Sequence, residues 1–153
     1  MTNNDVLRRI RYIYDYGDDK MIAIFKSGES AVSRETLSNW LKKDDHADFE
    51  PCMDIELAHF LNGFINEHRG KQEGKKPIVE EKLTKNIIMR KLKIALNYTD
   101  IDILETLASE EFTLSKHELS AFFRKPEHKH YRVMKNQVLR LFLKGLQAKI
   151  RKK

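Results

Sequence analysis

The densest run of side chains able to hold a ligand is Arg124-Lys125-Pro126-Glu127-His128-Lys129-His130-Tyr131-Arg132. Cations at this density neutralise phosphates, and a histidine pair beside a tyrosine offers donors and a ring for base stacking. Lys116, Arg124, Lys125, Lys129 and Arg132 are therefore the candidate contacts to a nucleic-acid backbone. The competing reading is a solvated loop in which Tyr131 is only a core anchor. Lys149, Arg151, Lys152 and Lys153 extend the positive charge, or simply complement the negative end of a terminal helix. Nearer the N-terminus, Arg34 and Asn39 are the candidate base readers, because arginine pairs with guanine or phosphate and asparagine with adenine. Glu35 faces the same way and opposes a phosphate there.

Other chemistries find less support. His117, His128 and His130 have no Cys or acidic residue at zinc-ligand spacing. There is no phosphate-cradling glycine loop, activated nucleophile or HExxH. The pairs Asp18-Asp19 and Asp44-Asp45 fall at helix boundaries, where they complement the helix dipole. The expectation is a protein without catalytic residues, metal, cofactor or small-molecule substrate. Cys52 is the single cysteine, so no intrachain disulfide forms, and its place in an apolar-periodic segment predicts a buried thiol. No apolar run approaches the roughly 20 residues that span a bilayer. Met1-Thr2-Asn3-Asn4-Asp5 has neither the basic start nor the apolar stretch of a signal peptide. A cytoplasmic protein that does not enter membranes is expected.

Net charge is +6, but it is segregated. Up to Gly70 there are 9 Lys/Arg against 13 Asp/Glu, and from Lys71 onward 20 against 10. A basic half of this kind attracts phosphates, whereas an acidic half suits a basic partner or the basic half of another chain.

The elements that position these residues come from a duplication. Shifting the chain by 82 positions aligns its halves without a gap: Asn4 with Asn86, Arg8 with Arg90, Ser33 with Ser115, His46 with His128, Gly63 with Gly145. Roughly one in four of some 65 aligned positions is identical, and others exchange like for like, such as Trp40 with Phe122 and Phe49 with Tyr131. The organisation expected is a first repeat over 1–70, a basic linker over 71–82 and a second repeat over 83–153.

Each repeat carries four helical patterns and no alternating strand pattern, so the fold class is all-α. The first helix spans about residues 3–15, with Val6, Ile10, Ile13 and Tyr14 inward, or Ile88, Leu92, Ala95 and Leu96 in its twin. The second is expected to be capped by Asp18 or Asp100 and to bury Met21, Ile22 and Phe25, or Ile103, Leu104 and Leu107. The third opens on Ser33, or on the capping box Ser115-Lys116-His117-Glu118. The fourth carries Met53, Leu57, Phe60, Leu61 and Phe64, or Lys135, Leu139, Phe142, Leu143 and Leu146. Val32, Leu37 and Trp40, like Leu114, Leu119 and Phe122, have the apolar spacing of a helix-turn-helix, although Ser27-Gly28-Glu29-Ser30-Ala31 exceeds its tight turn. Outward residues of the third helix would then be Arg34, Glu35, Ser38, Asn39 and Lys42, or Lys116, His117, Ser120, Ala121 and Arg124. A unit of about 70 residues buries only some 60% of its unfolded surface, so the two four-helix units are expected to pack together.

The chain also resembles the YehS-like bacterial proteins, a tandemly duplicated family of unknown function. The resemblance covers nearly the whole chain. It rests on Asn3-Asn4-Asp5-Val6-Leu7-Arg8, Val32-Ser33-Arg34, Trp40-Leu41-Lys42, Phe60-Leu61-Asn62-Gly63 and the run Leu114 to Pro126. It implies a small cytoplasmic bacterial protein and brings no activity or catalytic residue with it. The functional expectation is nucleic-acid association or regulation through helix-turn-helix-like repeats. The alternative is a protein-interaction or self-association module with an acidic first and basic second repeat.

Overall fold

A computed structural model describes residues 1–71, 73–74 and 76–151. Gln72 and Lys75 of the expected linker, and terminal Lys152 and Lys153, lie outside the described residues. The described residues form eight helices and no strand. The chain divides into two compact units, Met1–Lys82 and Leu83–Lys153. The segment expected to be a linker therefore counts with the first unit, where Asn62 Nδ2 donates to the Ile78 carbonyl at 2.9 Å.

The first unit contains α1 (Asn3–Tyr14), α2 (Asp18–Ser27), α3 (Arg34–Leu41) and α4 (Asp54–Arg69). The second contains α5 (Lys85–Leu96), α6 (Asp100–Ala108), α7 (Lys116–Phe122) and α8 (Asn136–Ile150). α1 starts where the Thr2 hydroxyl accepts the Asp5 N–H and the Asp5 carboxylate accepts the Thr2 N–H. It stops at Asp15, whose φ of 54° is left-handed, and α5 stops likewise at Asn97 with φ 55°. Asn and Asp tolerate this region better than other side chains with a Cβ.

The second helices differ from expectation in their caps. Gly17 and Thr99 hold the cap positions, and Asp18 and Asp100 are the first helical residues. The two aspartates act on the positive helix end rather than as hydrogen-bonding caps. Thr99 closes a capping box with Asp102 instead. Met21 is followed on the buried face by Ile24 and Phe25, while Ile22 is only half-buried. In α6, Ile103, Thr106 and Leu107 are buried and Leu104 is not. A helix advances about 100° per residue, so the third and fourth neighbours share a face and the adjacent residue turns away.

In each unit the fourth helix packs against the second, and the third rests on the second. Met53 and Lys135 stand before α4 and α8 as cap residues, and Met53 is 65% exposed, so neither belongs to the apolar stripe expected of it. The first core gathers Phe25, Phe60 and Phe64, with 5.0 Å between the Phe25 and Phe60 centroids. Full burial stabilises by about 1.5–3 kcal/mol for each such side chain. The α2–α4 crossing is set by glycines. A Cβ built on Gly63 would overlap the Ile24 carbonyl, and one on Gly28 the His59 carbonyl. At Gly145 a Cβ would lie 2.6 Å from the Thr106 carbonyl oxygen, and Gly28 is replaced by Glu110 at the aligned position. Among the described residues, no helix is long and apolar enough to cross a membrane.

Candidate nucleic-acid interface

Both repeats build the same loop after their third helix, and one buried asparagine holds each. Asn4 is 1% exposed, and its Nδ2 donates to the carbonyls of Trp40 and Glu50, each at 2.9 Å. Its Oδ1 accepts the Cys52 N–H at 3.0 Å. Asn86 repeats this with Phe122 at 2.9 Å, Arg132 at 2.7 Å and Met134 at 2.9 Å. The helix end, the loop end and the lead into the next helix are thus joined through one side chain. Unmet, these buried backbone groups would each cost about 1–3 kcal/mol.

Inside the loop, histidine plays a matching part. His46 Nδ1 accepts the Asp48 N–H, and His128 Nδ1 accepts the His130 N–H, both at 3.0 Å. In the neutral ring the proton then resides on Nε2. Glu50 N–H bonds the Asn39 carbonyl and Arg132 N–H the Ala121 carbonyl, both at 3.2 Å, which closes each loop onto its helix. Phe49 and Tyr131 are both half-buried at the same place in this frame. Tyr131 thus has the anchor position of Phe49.

On this shared frame the charge reverses. Residues 42–50 hold two Lys/Arg and four Asp/Glu, whereas 124–132 hold four Lys/Arg and one Glu. Lys125 and Lys129 are exposed on the loop, and Lys116 is exposed at the start of α7. Arg132 is also exposed, with its Nη1 3.7 Å from Glu118 Oε2. Arg124 is half-buried, and its Nε is buried without a hydrogen-bond partner among the described residues. The five second-repeat candidates thus belong to α7 and the loop that follows it. Ala121, expected to face outward, is 4% exposed and belongs to the core.

The first-repeat candidates are engaged within their own unit. Arg34 Nη1 lies 3.6 Å from Asp18, and its Nη2 bonds Asp19. Asn39 Nδ2 donates to Glu50 Oε1 at 3.3 Å. A base would have to displace these partners, so the electrostatic conflict foreseen from Glu35 is deepened by Asp18, Asp19 and Glu50.

Two arginines outside the candidate set flank the same loops. Arg8 Nη2 lies 2.5 Å from Asp5 and 3.5 Å from Asp44, while its Nη1 bonds the Lys42 carbonyl. Burial alone would raise the Asp5 carboxyl, but hydrogen bonds from Thr2 and Arg8 together hold it below its usual range. In the second repeat Arg90 Nη2 donates to the Phe123 carbonyl at 2.8 Å. Asp5 and Asp44 are replaced there by Ile87 and Pro126. The identity of Arg8 with Arg90 in the aligned halves was the signal that marked them, but their neighbours across the fold were not visible from spacing.

Among the described residues, no three His, Cys, Asp or Glu converge to hold a metal. The His128 and His130 ring centroids are 5.6 Å apart, with the His128 Nδ1 already taken by a backbone N–H. Cys52 is 4% exposed, and burial with the charges of Glu56 and Asp54 pushes its thiol up to about 12.

Among the described residues, eight helices in two four-helix units, with one loop frame built twice, define a tandem all-α repeat protein. The chain belongs to the family described as "Protein of unknown function (DUF1456)", which matches residues 3–70 and 85–152. It is 39% identical over 150 residues to "Uncharacterized protein YehS" of Escherichia coli (strain K12), covering 97% of this chain and 96% of that protein. No solved structure matches the chain at a significant level.

Proposed function

We propose that the protein is a non-catalytic, cytoplasmic nucleic-acid-binding or regulatory factor whose second repeat contacts the phosphate backbone. The observation that carries this reading is the charge reversal on a conserved frame. The same hydrogen bonds support an acidic loop at 42–50 and a basic one at 124–132, so the cations are not needed for the loop's shape. Lys116, Arg124, Lys125, Lys129 and Arg132 supply the contacts. Burial of Leu119 and Phe122 supports a helix-turn-helix-like placement of α6 and α7. However, α7 has only 7 residues, and Ala121 faces the core, which favours backbone binding over reading of bases.

The test is binding of the full chain to labelled duplex DNA across a salt series. The expected log–log slope is about −3 or steeper, since several counterions are released. Arg124→Glu together with Lys125→Glu should weaken binding to all sequences alike. Affinity unchanged by that double substitution would overturn the assignment.

The exposed acids Asp44, Asp45, Asp48 and Glu50 favour a second reading, in which the first repeat meets a basic protein or the basic repeat of another chain. Sizing at low and high salt separates the two. A salt-sensitive dimer or complex with no DNA binding supports the second, and a monomer at every concentration counts against self-association.

A further inference from the structure

The crossing of the second and fourth helices leaves a groove in both units, lined by aligned residues. In the first unit Ala23, Ile24, Ser27, Gly63 and Asn66 border a volume of about 150 Å³. In the second, Glu105, Thr106, Ser109, Gly145 and Ala148 stand in those places, and the volume is about 330 Å³. Asn66 Nδ2 bridges α4 to α2, donating to the Ser27 carbonyl at 3.0 Å and to its hydroxyl at 3.1 Å. Ala148 has no group with which to bridge, and the Ser109 hydroxyl turns back to the Thr106 carbonyl at 2.6 Å. The outward helix faces differ as well. Asp19, Ala23 and Lys26 are exposed on α2, and the aligned Ile101, Glu105 and Ala108 are exposed on α6. Asp19 is bonded by Arg34, whereas Ile101 is 56% exposed. Two charged positions have thus become apolar, and the one charge gained, Glu105, makes no ion pair among the described residues. The other wall of the second groove carries Lys149, where the first unit has Glu67 paired with Lys20 at 2.6 Å. Lys149 Nζ lies 3.3 Å from the Tyr98 hydroxyl and 5.1 Å from the centre of its ring, and its charge acts on Asp102 without an ion pair.

Replacing charge by isoleucine and alanine is unfavourable on a solvated face and favourable where a second surface covers it, since charged residues are depleted at the centre of interfaces. The two walls of the groove also carry opposite charges that do not pair with each other. In a contact about a two-fold axis, residue i of one chain meets residue j of the other, and j meets i. We propose that the α6–α8 face of the second repeat is a symmetric self-association surface, covered by the same face of a second chain. With the axis running between α6 and α8, Glu105 of each chain meets the partner's Lys149. The ammonium has three donors, so it takes a carboxylate while keeping the Tyr98 hydroxyl. Any other occupant would need this pair of charges in the reverse order across a groove; a second copy supplies it. The contact uses neither the acidic first repeat nor the 124–132 loop, and so goes beyond both readings above.

Analytical ultracentrifugation of the full chain over a wide concentration range is the test. The wild type should pass from monomer to dimer as concentration rises. Glu105→Lys brings ammonium groups together across the axis and Lys149→Glu brings carboxylates together, so each variant alone should be monomeric. An equimolar mixture of the two restores both opposite-charge contacts and should dimerise again, as a heterodimer. Ile101→Asp returns the residue type of the first repeat and should weaken the dimer by at least about tenfold. Lys26→Glu, a reversal on the aligned face of the first repeat, should leave it unchanged. All four positions are exposed, and thermal unfolding checks that each variant is folded. A wild type that stays monomeric throughout would overturn the proposal. So would a dimer that survives both single reversals, or two monomeric variants whose mixture stays monomeric. A dimer lost in Lys26→Glu but kept in Glu105→Lys would put the contact on the first repeat and overturn it equally.

Discussion

Asn86 donates to the Arg132 carbonyl at 2.7 Å across 46 residues of chain, and so ties α5 to the far end of the basic loop. The same side chain bonds Phe122 and Met134. Asn86→Ala would leave three backbone groups without their partner. A loss of about 3 kcal/mol is expected in urea unfolding, with Asn4→Ala similar in the first unit. Hydrogen exchange at Arg132 and Met134 should quicken in parallel. A change below about 0.5 kcal/mol would show that water replaces the asparagine at little cost.

Glycine inside a helix is ordinarily improved by alanine, by up to about 1 kcal/mol. At Gly63 the sign should reverse, because the added Cβ overlaps the Ile24 backbone rather than a side chain that can move aside. Gly63→Ala should destabilise strongly, and Gly145→Ala less, since its nearest atom lies at 2.6 Å and the Thr106 side chain takes part of the contact. Equal effects, measured by thermal unfolding, would mean that the two crossings relax alike.

The His68 ring stands 4.4 Å from Phe64 and 5.0 Å from Tyr14, and its Nε2 lies 3.4 Å from the Tyr16 hydroxyl. Loss of water around the ring lowers its pKa from 6.5, with Glu67 opposing and Lys20 reinforcing the shift. The unfolded chain therefore takes up the proton first as pH falls through about 6.5. Stability should decline from there until the folded ring is also protonated, and then level off. Denaturation midpoints of the wild type should lose this part of their pH dependence in His68→Leu. An unchanged pH profile in the variant would assign the slope to other groups.

Cys52 should resist thiol reagents in the native protein. Its sulfur is buried and its pKa is raised to about 12, so almost no thiolate exists near neutral pH. Labelling should follow unfolding and accelerate with urea. Rapid stoichiometric labelling of the folded chain would contradict the burial.

Much of this architecture was legible because duplication doubles every local signal. The Ser33 and Ser115 caps and the apolar faces of α1 and α4 were readable from periodicity, since such signals depend on residues only three or four positions apart. The second helices misled at their starts, where Asp18 and Asp100 are good capping residues but Gly17 and Thr99 hold the position. Asn4, Asn86, Arg8 and Arg90 were visible as identities between the halves, but not as the groups that organise the loops. Their partners are main-chain carbonyls 33 to 46 residues away, and a carbonyl has no signature in sequence. The engagement of Arg34 by Asp18 and Asp19 was hidden for a similar reason: it needs the angle between α2 and α3.

Because each asparagine grips only main-chain atoms, the intervening side chains other than the shared histidine and the aromatic anchor place little demand on the fold. Exchanging Asp44 for proline, Ala47 for lysine, Asp48 for histidine and Glu50 for arginine turns the first loop's charge into that of the second, with every backbone bond of the frame retained. After a gene duplicates, such a frame lets one copy change the kind of molecule it attracts in a few mutational steps while the other keeps its old preference. The two halves of this chain can therefore diverge in ligand without first becoming less stable.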